Sequence, residues 1–281
     1  MEKEKRNKMR RMAPPALFLF FLCIQIYTVN GQFTPAELSE RPQWEDFLKT
    51  TEIIEYKDVG EGVTKPIWLI LKKGDITRRA IWKNPKGMQQ GFLEGWQYEI
   101  AAYEMDKLLD LNMVPPTVER EFNGKRGSLQ LGIDKLYSEL EIMEENIEVP
   151  KEKIDNRSDM KYITRAFDCL IANDDRTQQN ILFNTDWRVV LIDHSRAFRS
   201  TKEYTERLVY GKNGIKGALL FRRLPRSFVE KVKALNSDNL TQALKPCLKK
   251  KEIKAILIRK DLLLKEIEEM IQEQGEDKVL Y

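Results

Sequence analysis

Between residues 51 and 83 short apolar runs alternate with polar residues at strand spacing. TEIIEY, VTKPIWLILKK and ITRRAIWK, rich in Ile, Trp and Thr, predict three strands, with DVGEG between the first two and KKGD between the next two. The period then lengthens. In LEGWQYEIAAYEMDKLLDL, residues 93–111, Trp96, Ile100, Tyr103 (or Ala102) and Leu108 recur near helical spacing and predict a helix that VPP ends. TVEREF and RGSLQLGI, joined by NGK, predict a hairpin, because Asn-Gly favours the tight turn whose twist matches paired strands. Trp82 and Trp96 are expected core residues. The first half reads β-β-β-α-β-β.

The second half changes character. Residues 144–159, charged and without period, predict a mobile connection. MKYITRAFDCLIAN then places Met160, Ile163, Phe167, Leu170 and Ile171 on one helical face. ILF and WRVVLI predict two strands about an NTD turn, and everything from about Arg226 onward is helical in pattern, ending in KDLLLKEIEEMIQEQ. The fold class is α+β. A small antiparallel-sheet lobe spans 51–133 and a helical lobe 134–281, with a connector near Gly132. Residues 32–50 form an N-terminal strap whose Trp44 and Phe47 face one side. A cleft between two such lobes is a usual ligand site.

Residues 1–31 have the pattern of a signal peptide: the basic MEKEKRNKMRRM, the apolar ALFLFFLCIQIYTV, and VNGQ with small residues for a cut after Gly31. The apolar run 16–24 is shorter than the roughly 20 residues that span a bilayer. The expected localisation is the secretory pathway, extracytoplasmic or secreted, with no stable membrane span once the signal is cleaved. A signal-anchored membrane protein is the alternative. The formal charge of +4 arises in this segment, which holds six of the 48 Lys and Arg and two of the 44 Asp and Glu, leaving 42 of each. A balanced body offers no electrostatic case for nucleic acid. Cys169 and Cys247, the cysteines beyond this segment, form neither a metal spacing nor a disulfide scaffold. His194, the only histidine, excludes a multi-histidine metal site.

The chemistry concentrates in NDDRTQQNILF, residues 173–183. Phosphoryl transfer asks for positioned charge: a cation on the phosphates, a metal on carboxylate and amide oxygens, and an acceptor for the incoming hydroxyl's proton. Asp175 and Asn180 stand five apart, and the strands after them deliver Asp193 at the end of the second. A carboxylate beside an amide oxygen suits a hard cation. Lys83 ends the third strand, and Glu99 lies in the next helix where it can face that lysine, with Glu94 and Glu104 as alternatives. Gly60 and Gly62 sit in the first turn, where missing side chains let backbone amides approach phosphate. Asp174 serves its own loop or stands beside the site. Arg176 braces the loop through an acid or meets substrate, and His194 packs nearby. Lys212, Lys216, Arg222 and Arg223 form either an anion-recognising stretch or a solvated loop.

The order AIWK, EIAAYEMDKLL, NDDRTQQN and LIDHS resembles the atypical protein-kinase-like fold. That group holds phosphatidylinositol 3-/4-kinases, HipA-type bacterial kinases and the secreted Golgi casein-kinase family. D-R-x-x-x-N is most similar to the phosphatidylinositol-kinase catalytic loop, and LIDHS stands where those enzymes carry IDFG. The motifs cover residues 55–200. The resemblance implies that Asp175 is the catalytic aspartate, with Arg176 beside it in the catalytic loop. It implies Asn180 and Asp193 as ligands of Mg2+ or Mn2+, and Lys83 as the nucleotide lysine with Glu99 its partner. Gly60 and Gly62 complete the nucleotide site. The function implied is an ATP-dependent kinase that moves the γ-phosphoryl group to a hydroxyl on a protein, lipid or small molecule. The sparse glycine loop and the DHS variant leave a catalytically silent binding or scaffold protein as an alternative, and a nucleotidyl transferase is a third reading on the same fold.

Overall fold

Alternating apolar residues and tight turns build the first sheet. The computed structural model describes residues 39–60, 65–89 and 91–281; the expected signal segment 1–31 and Gly62 lie outside the described residues. Strands β1 (Glu52–Asp58), β2 (Ile67–Lys73) and β3 (Ile76–Lys83) run antiparallel, followed after an interval by β6 (Thr117–Phe122) and β7 (Lys125–Leu131), in the order β1-β2-β3-β7-β6. Asn123 and Gly124 take φ of +50° and +69°, the left-handed pair that the two-residue hairpin turn requires. Leu69, Leu71, Ala80, Trp82, Val118 and Leu129 pack with Phe47 and Leu48 of helix α1 (Arg41–Thr50). Trp44 meets Phe47 edge-on at 5.6 Å, so the strap helix turns its aromatic side toward the sheet. The opposite face, by register, carries Trp68, Ile70, Ile81 and Lys83.

The stretch after Lys83 differs from the sequence expectation. A second hairpin, β4 (Lys86–Gln89) and β5 (Phe92–Gly95), precedes helix α2 (Trp96–Leu109), so the helix starts three residues later than its pattern suggested. Gly95 is extended at the helix boundary, with φ −155° and ψ 128°. Trp96 is half-buried with the Arg126 guanidinium 5.7 Å from its ring, whereas Trp82 is a core residue.

Helix α2 packs toward the second half of the chain. Tyr98, Ala101, Ala102, Tyr103, Met105 and Leu109 belong to the large helical core, although a division at residue 133 groups this helix with the sheet. Beneath it Asp106, fully buried, accepts from the amides of Met113 (2.9 Å) and Val114 (3.3 Å) and faces Arg41 at 3.4 Å. Burial pushes this carboxyl up to about 6, against those donors. An unfolded aspartate titrates near 3.9. The stability that Asp106 contributes is therefore full below about pH 4 and lost as the pH rises through about 6. Asp106→Asn keeps an acceptor for both amides, so the difference between its urea midpoint and that of the unaltered protein should shift in its favour between pH 4 and 6. A pH-independent difference would contradict this account.

Strand β8 (Lys135–Ser138) joins β9 (Ile181–Asn184) and β10 (Val189–Leu191) in the order β10-β9-β8. Ser138 caps helix α3 (Glu139–Glu144) through a reciprocal capping box with Glu141. The charged stretch expected to be mobile is instead partly ordered: helix α4 (Ile154–Ile171) begins within it, and Arg157 pairs with Glu139. All five apolar residues expected on one face of α4 are buried. Helices α5 (Glu203–Glu206), α6 (Arg226–Ala234), α7 (Ser237–Leu244), α8 (Lys250–Gln274) and α9 (Glu276–Val279) complete the helical lobe. The Tyr98 hydroxyl of α2 donates to Glu252 Oε1 of α8 at 2.7 Å. Cys169 and Cys247 are both unpaired thiols, each pushed up to about 12 by burial. No helix among the described residues is long and apolar enough to cross a membrane.

Candidate active site

Helix α4 ends with Ala172 in the left-handed region, φ +49°, and releases the loop 173–180. Fully buried Asp168, on the last turn of α4, organises that loop. It accepts from Asn173 Nδ2 at 3.1 Å and from Arg176 Nε and Nη2 at 3.1 and 3.0 Å. The same arginine donates to the carbonyls of Asn180 (3.2 Å) and Ile192 (2.7 Å) and to His194 Nε2 (2.8 Å). All five of its N–H donors are directed inward, and its side chain is 3% exposed. Arginine can only donate, so Nε2 of His194 accepts and the ring proton sits on Nδ1, 3.6 Å from Glu99 Oε2. Burial and Arg176 also lower the imidazole's proton affinity. His194 is a buried neutral spacer.

Lys83 lies between two carboxylates. Its ammonium donates to Glu99 Oε1 at 2.8 Å and to Asp193 Oδ1 at 2.9 Å. The second Glu99 oxygen accepts the backbone amide of His194 at 2.9 Å. Burial opposes both charges, but each is more than compensated: the two carboxylates hold Lys83 above the usual lysine range, and Lys83 with the His194 side chain holds Glu99 below the carboxylate range. Of the alternatives, Glu94 pairs with Arg196 and Glu104 with Lys107.

The Ile192 amide donates to the Asn180 carbonyl at 3.2 Å, extending the β9–β10 ladder and bringing Asn180 beside the strand end that carries Asp193. Asp193 has φ +60°, a strained conformation for a non-glycine residue and one that recurs at functional sites. Among the described residues no group of three or more His, Cys, Asp or Glu is preformed for a metal. Asp193 and Asn180 offer a carboxylate and an amide oxygen, the hard ligand type that Mg2+ or Mn2+ takes and that phosphate or water would complete.

The adjacent aspartates have different partners. Asp174 is held by Arg199 at 2.9 Å and by the Tyr204 hydroxyl. Asp175, 41% exposed at its side chain, faces Arg196 Nη1 at 3.1 Å. Burial raises its carboxyl; Arg196 opposes this, while Asp193 and Asp174 add to it. Gly60 has φ +74° and donates its amide to Asp58 Oδ1 at 2.9 Å. On the sheet face that bears Lys83, a cavity of about 310 Å³ is lined by Trp68, Ile70 and Arg79 with the end of β1. Within the basic stretch, Arg223 is committed to Asp159 and Lys212 approaches Glu273 at 3.6 Å. Lys216 and Arg222 are exposed.

Sequence reasoning did not find Asp168 or Arg196, and held Glu94 only as an alternative partner for Lys83; their contacts join residues 8 to 102 positions apart. Asp168, a charge inside an otherwise apolar helix face, was the one detectable signal.

No family model matches the chain, and no curated protein matches it in sequence. Solved structures do match in fold. A hydra Fam20 with sugar superposes with a TM-score of 0.66 at 17% identity, over 90% of this chain and 95% of that one. A Golgi casein kinase gives 0.60 at 16%, over 87% and 79%. A Golgi casein kinase structure with Mn/ADP bound gives 0.61 at 15%, over 88% and 80%. The chain has the two-lobed kinase-like fold of these structures.

Proposed function

We propose that the protein is an ATP-dependent phosphotransferase that moves the γ-phosphoryl group to a hydroxyl acceptor. The observation that carries this reading is Lys83 held between Glu99 and Asp193, opposite a loop that presents Asp175 and Asn180. Lys83, oriented by Glu99, binds phosphate oxygens. Asn180 and Asp193 supply the oxygens for Mg2+ or Mn2+, which neutralises charge on the phosphates. Asp175 accepts or orients the acceptor hydroxyl's proton. Arg176 positions the loop and does not reach substrate. The cavity beside Trp68 has room for the nucleoside. The solved neighbours with Mn/ADP and with sugar support nucleotide, metal and a hydroxyl-rich acceptor, and the Golgi neighbour supports a secretory compartment.

Thermal unfolding with ATP and Mg2+ or Mn2+, beside Asp193→Ala, tests the nucleotide site. Ligand at 100 times its Kd stabilises by about 2.7 kcal/mol, a rise of roughly 5–11 °C at this size. The rise should require metal and be absent in the variant. Transfer of a γ-label to a casein or an oligosaccharide should follow. Transfer of an α-label would instead establish nucleotidyl transfer, and binding without any transfer a silent nucleotide-binding protein.

A further inference from the structure

The β4–β5 hairpin lies in sequence between Lys83 and Glu99, yet those two side chains bond to each other, to Asp193 and to the His194 amide. Its last residues reach the segment after Asp193 instead. Glu94, with 1% of its side chain exposed, accepts from Arg196 Nε at 2.8 Å and from Ser195 Oγ at 3.3 Å. The Gly95 amide donates to the Ser195 carbonyl at 2.9 Å. Phe92 lies 4.6 Å from the Arg196 guanidinium. The other end of that guanidinium, Nη1, is 3.1 Å from Asp175 Oδ2. Arg196 is thus a planar two-ended fork, clamped at Nε by a buried carboxylate and meeting Asp175 at Nη1.

Among the described residues Arg196 is the recorded ion-pair partner of the Asp175 carboxylate, whose backbone amide is fixed separately by Asn173 Oδ1 at 3.2 Å. Arg199 repeats the arrangement one step along: it pairs with Asp174 and lies 5.6 Å from the same Phe92 ring. Two arginines from the segment after Asp193 therefore tie the two adjacent aspartates to one hairpin.

We propose that Arg196 is a positioning residue that fixes the Asp175 carboxylate for proton acceptance, and that the β4–β5 hairpin sets its place through Glu94 and Phe92. This rests on the phosphotransferase reading above. The reason is geometric: a carboxylate with 41% of its side chain exposed rotates unless something holds one oxygen, and holding Oδ2 presents the other oxygen to an acceptor hydroxyl. A lysine cannot replace the fork, because a point charge does not span Glu94 and Asp175 together.

The test uses the full chain, with γ-labelled ATP and Mn2+, and with a casein and an oligosaccharide as acceptors. Arg196→Ala and Arg196→Lys should each lower kcat about 100-fold, the scale of a misplaced catalytic group, with KM for ATP unchanged. Glu94→Gln should lower kcat in the same direction. Guanidinium chloride below the unfolding range should restore part of the activity to Arg196→Ala and none to Asp175→Asn. The ADP and Mn2+ thermal shift, retained in every variant, shows that each is folded with its nucleotide site intact. Unaltered kcat in Arg196→Ala, or a loss confined to KM for ATP, overturns the inference and leaves the kinase reading standing. An unaltered chain that binds nucleotide but labels nothing and releases no phosphate overturns both.

Discussion

Arg176→Ala is expected to destabilise the protein by about 3–5 kcal/mol, because it breaks a buried ion pair by removing one partner. Asp168 would stay fully buried with its charge uncompensated, and the carbonyls of Asn180 and Ile192 would each lose a donor. At this size the unfolding midpoint should fall by roughly 6–20 °C. Arg176→Lys should recover little, since one ammonium cannot reproduce a fork aimed at a carboxylate, two carbonyls and an imidazole. The double variant Asp168→Asn with Arg176→Met should be more stable than Arg176→Ala, because no charge is then stranded. A midpoint within about 2 °C of the unaltered protein, less than 1 kcal/mol, would show that the loop does not depend on this residue.

Asp175→Asn is expected to lower turnover by about 10²–10⁴-fold, the usual contribution of a general base. Asparagine preserves the shape and still offers an oxygen to Arg196, so the nucleotide-dependent thermal shift should persist. The acid limb of the pH–rate profile carries a second signature. Asp175 must be ionised to accept a proton, and burial raises its carboxyl above the ordinary aspartate range, so turnover should fall at a higher pH than an exposed aspartate would give. Undiminished turnover in Asp175→Asn would remove the general base from the proposed mechanism.

Strand alternation and turn chemistry were readable along the chain because they are local. The Asn-Gly turn needs only two residues with positive φ, and the β3 pattern already places Lys83 on the face away from the strap. The β4–β5 hairpin was not readable: KGMQ and FLEG are short, hold a glycine each and lack alternation, so nothing local sets their period apart from the helix that follows. The order in α4 before Met160 was hidden by its charges, which are accommodated by partners such as Glu139 in another element.

The site divides in the same way. The Asp175-to-Asn180 spacing and the strand that ends in Asp193 are sequence features. The choice of Glu99 as the residue in contact with Lys83, over Glu94 and Glu104, depends on tertiary placement: Glu94 lies in β5 against Arg196, and Glu104 pairs with Lys107. Arg176 and Arg196 differ only by what surrounds them. One points all its donors into the fold, and the other lies at the rim between a hairpin and an aspartate.

The anchoring of α2 to α8 through Tyr98 and Glu252 bears on how the two bodies of this molecule are joined. With apolar side chains in the helical core, α2 also turns Tyr103, Asp106 and Lys107 to Glu45 and Arg41 of α1, so it is bound to both bodies. The seam between the two bodies therefore passes along α2, and not through the connector alone. Lys83 spans that seam, with one carboxylate from α2 and one from the strand end at Asp193. The three charges act as a catch across it, so the lysine of the proposed phosphate site also holds the two bodies in register.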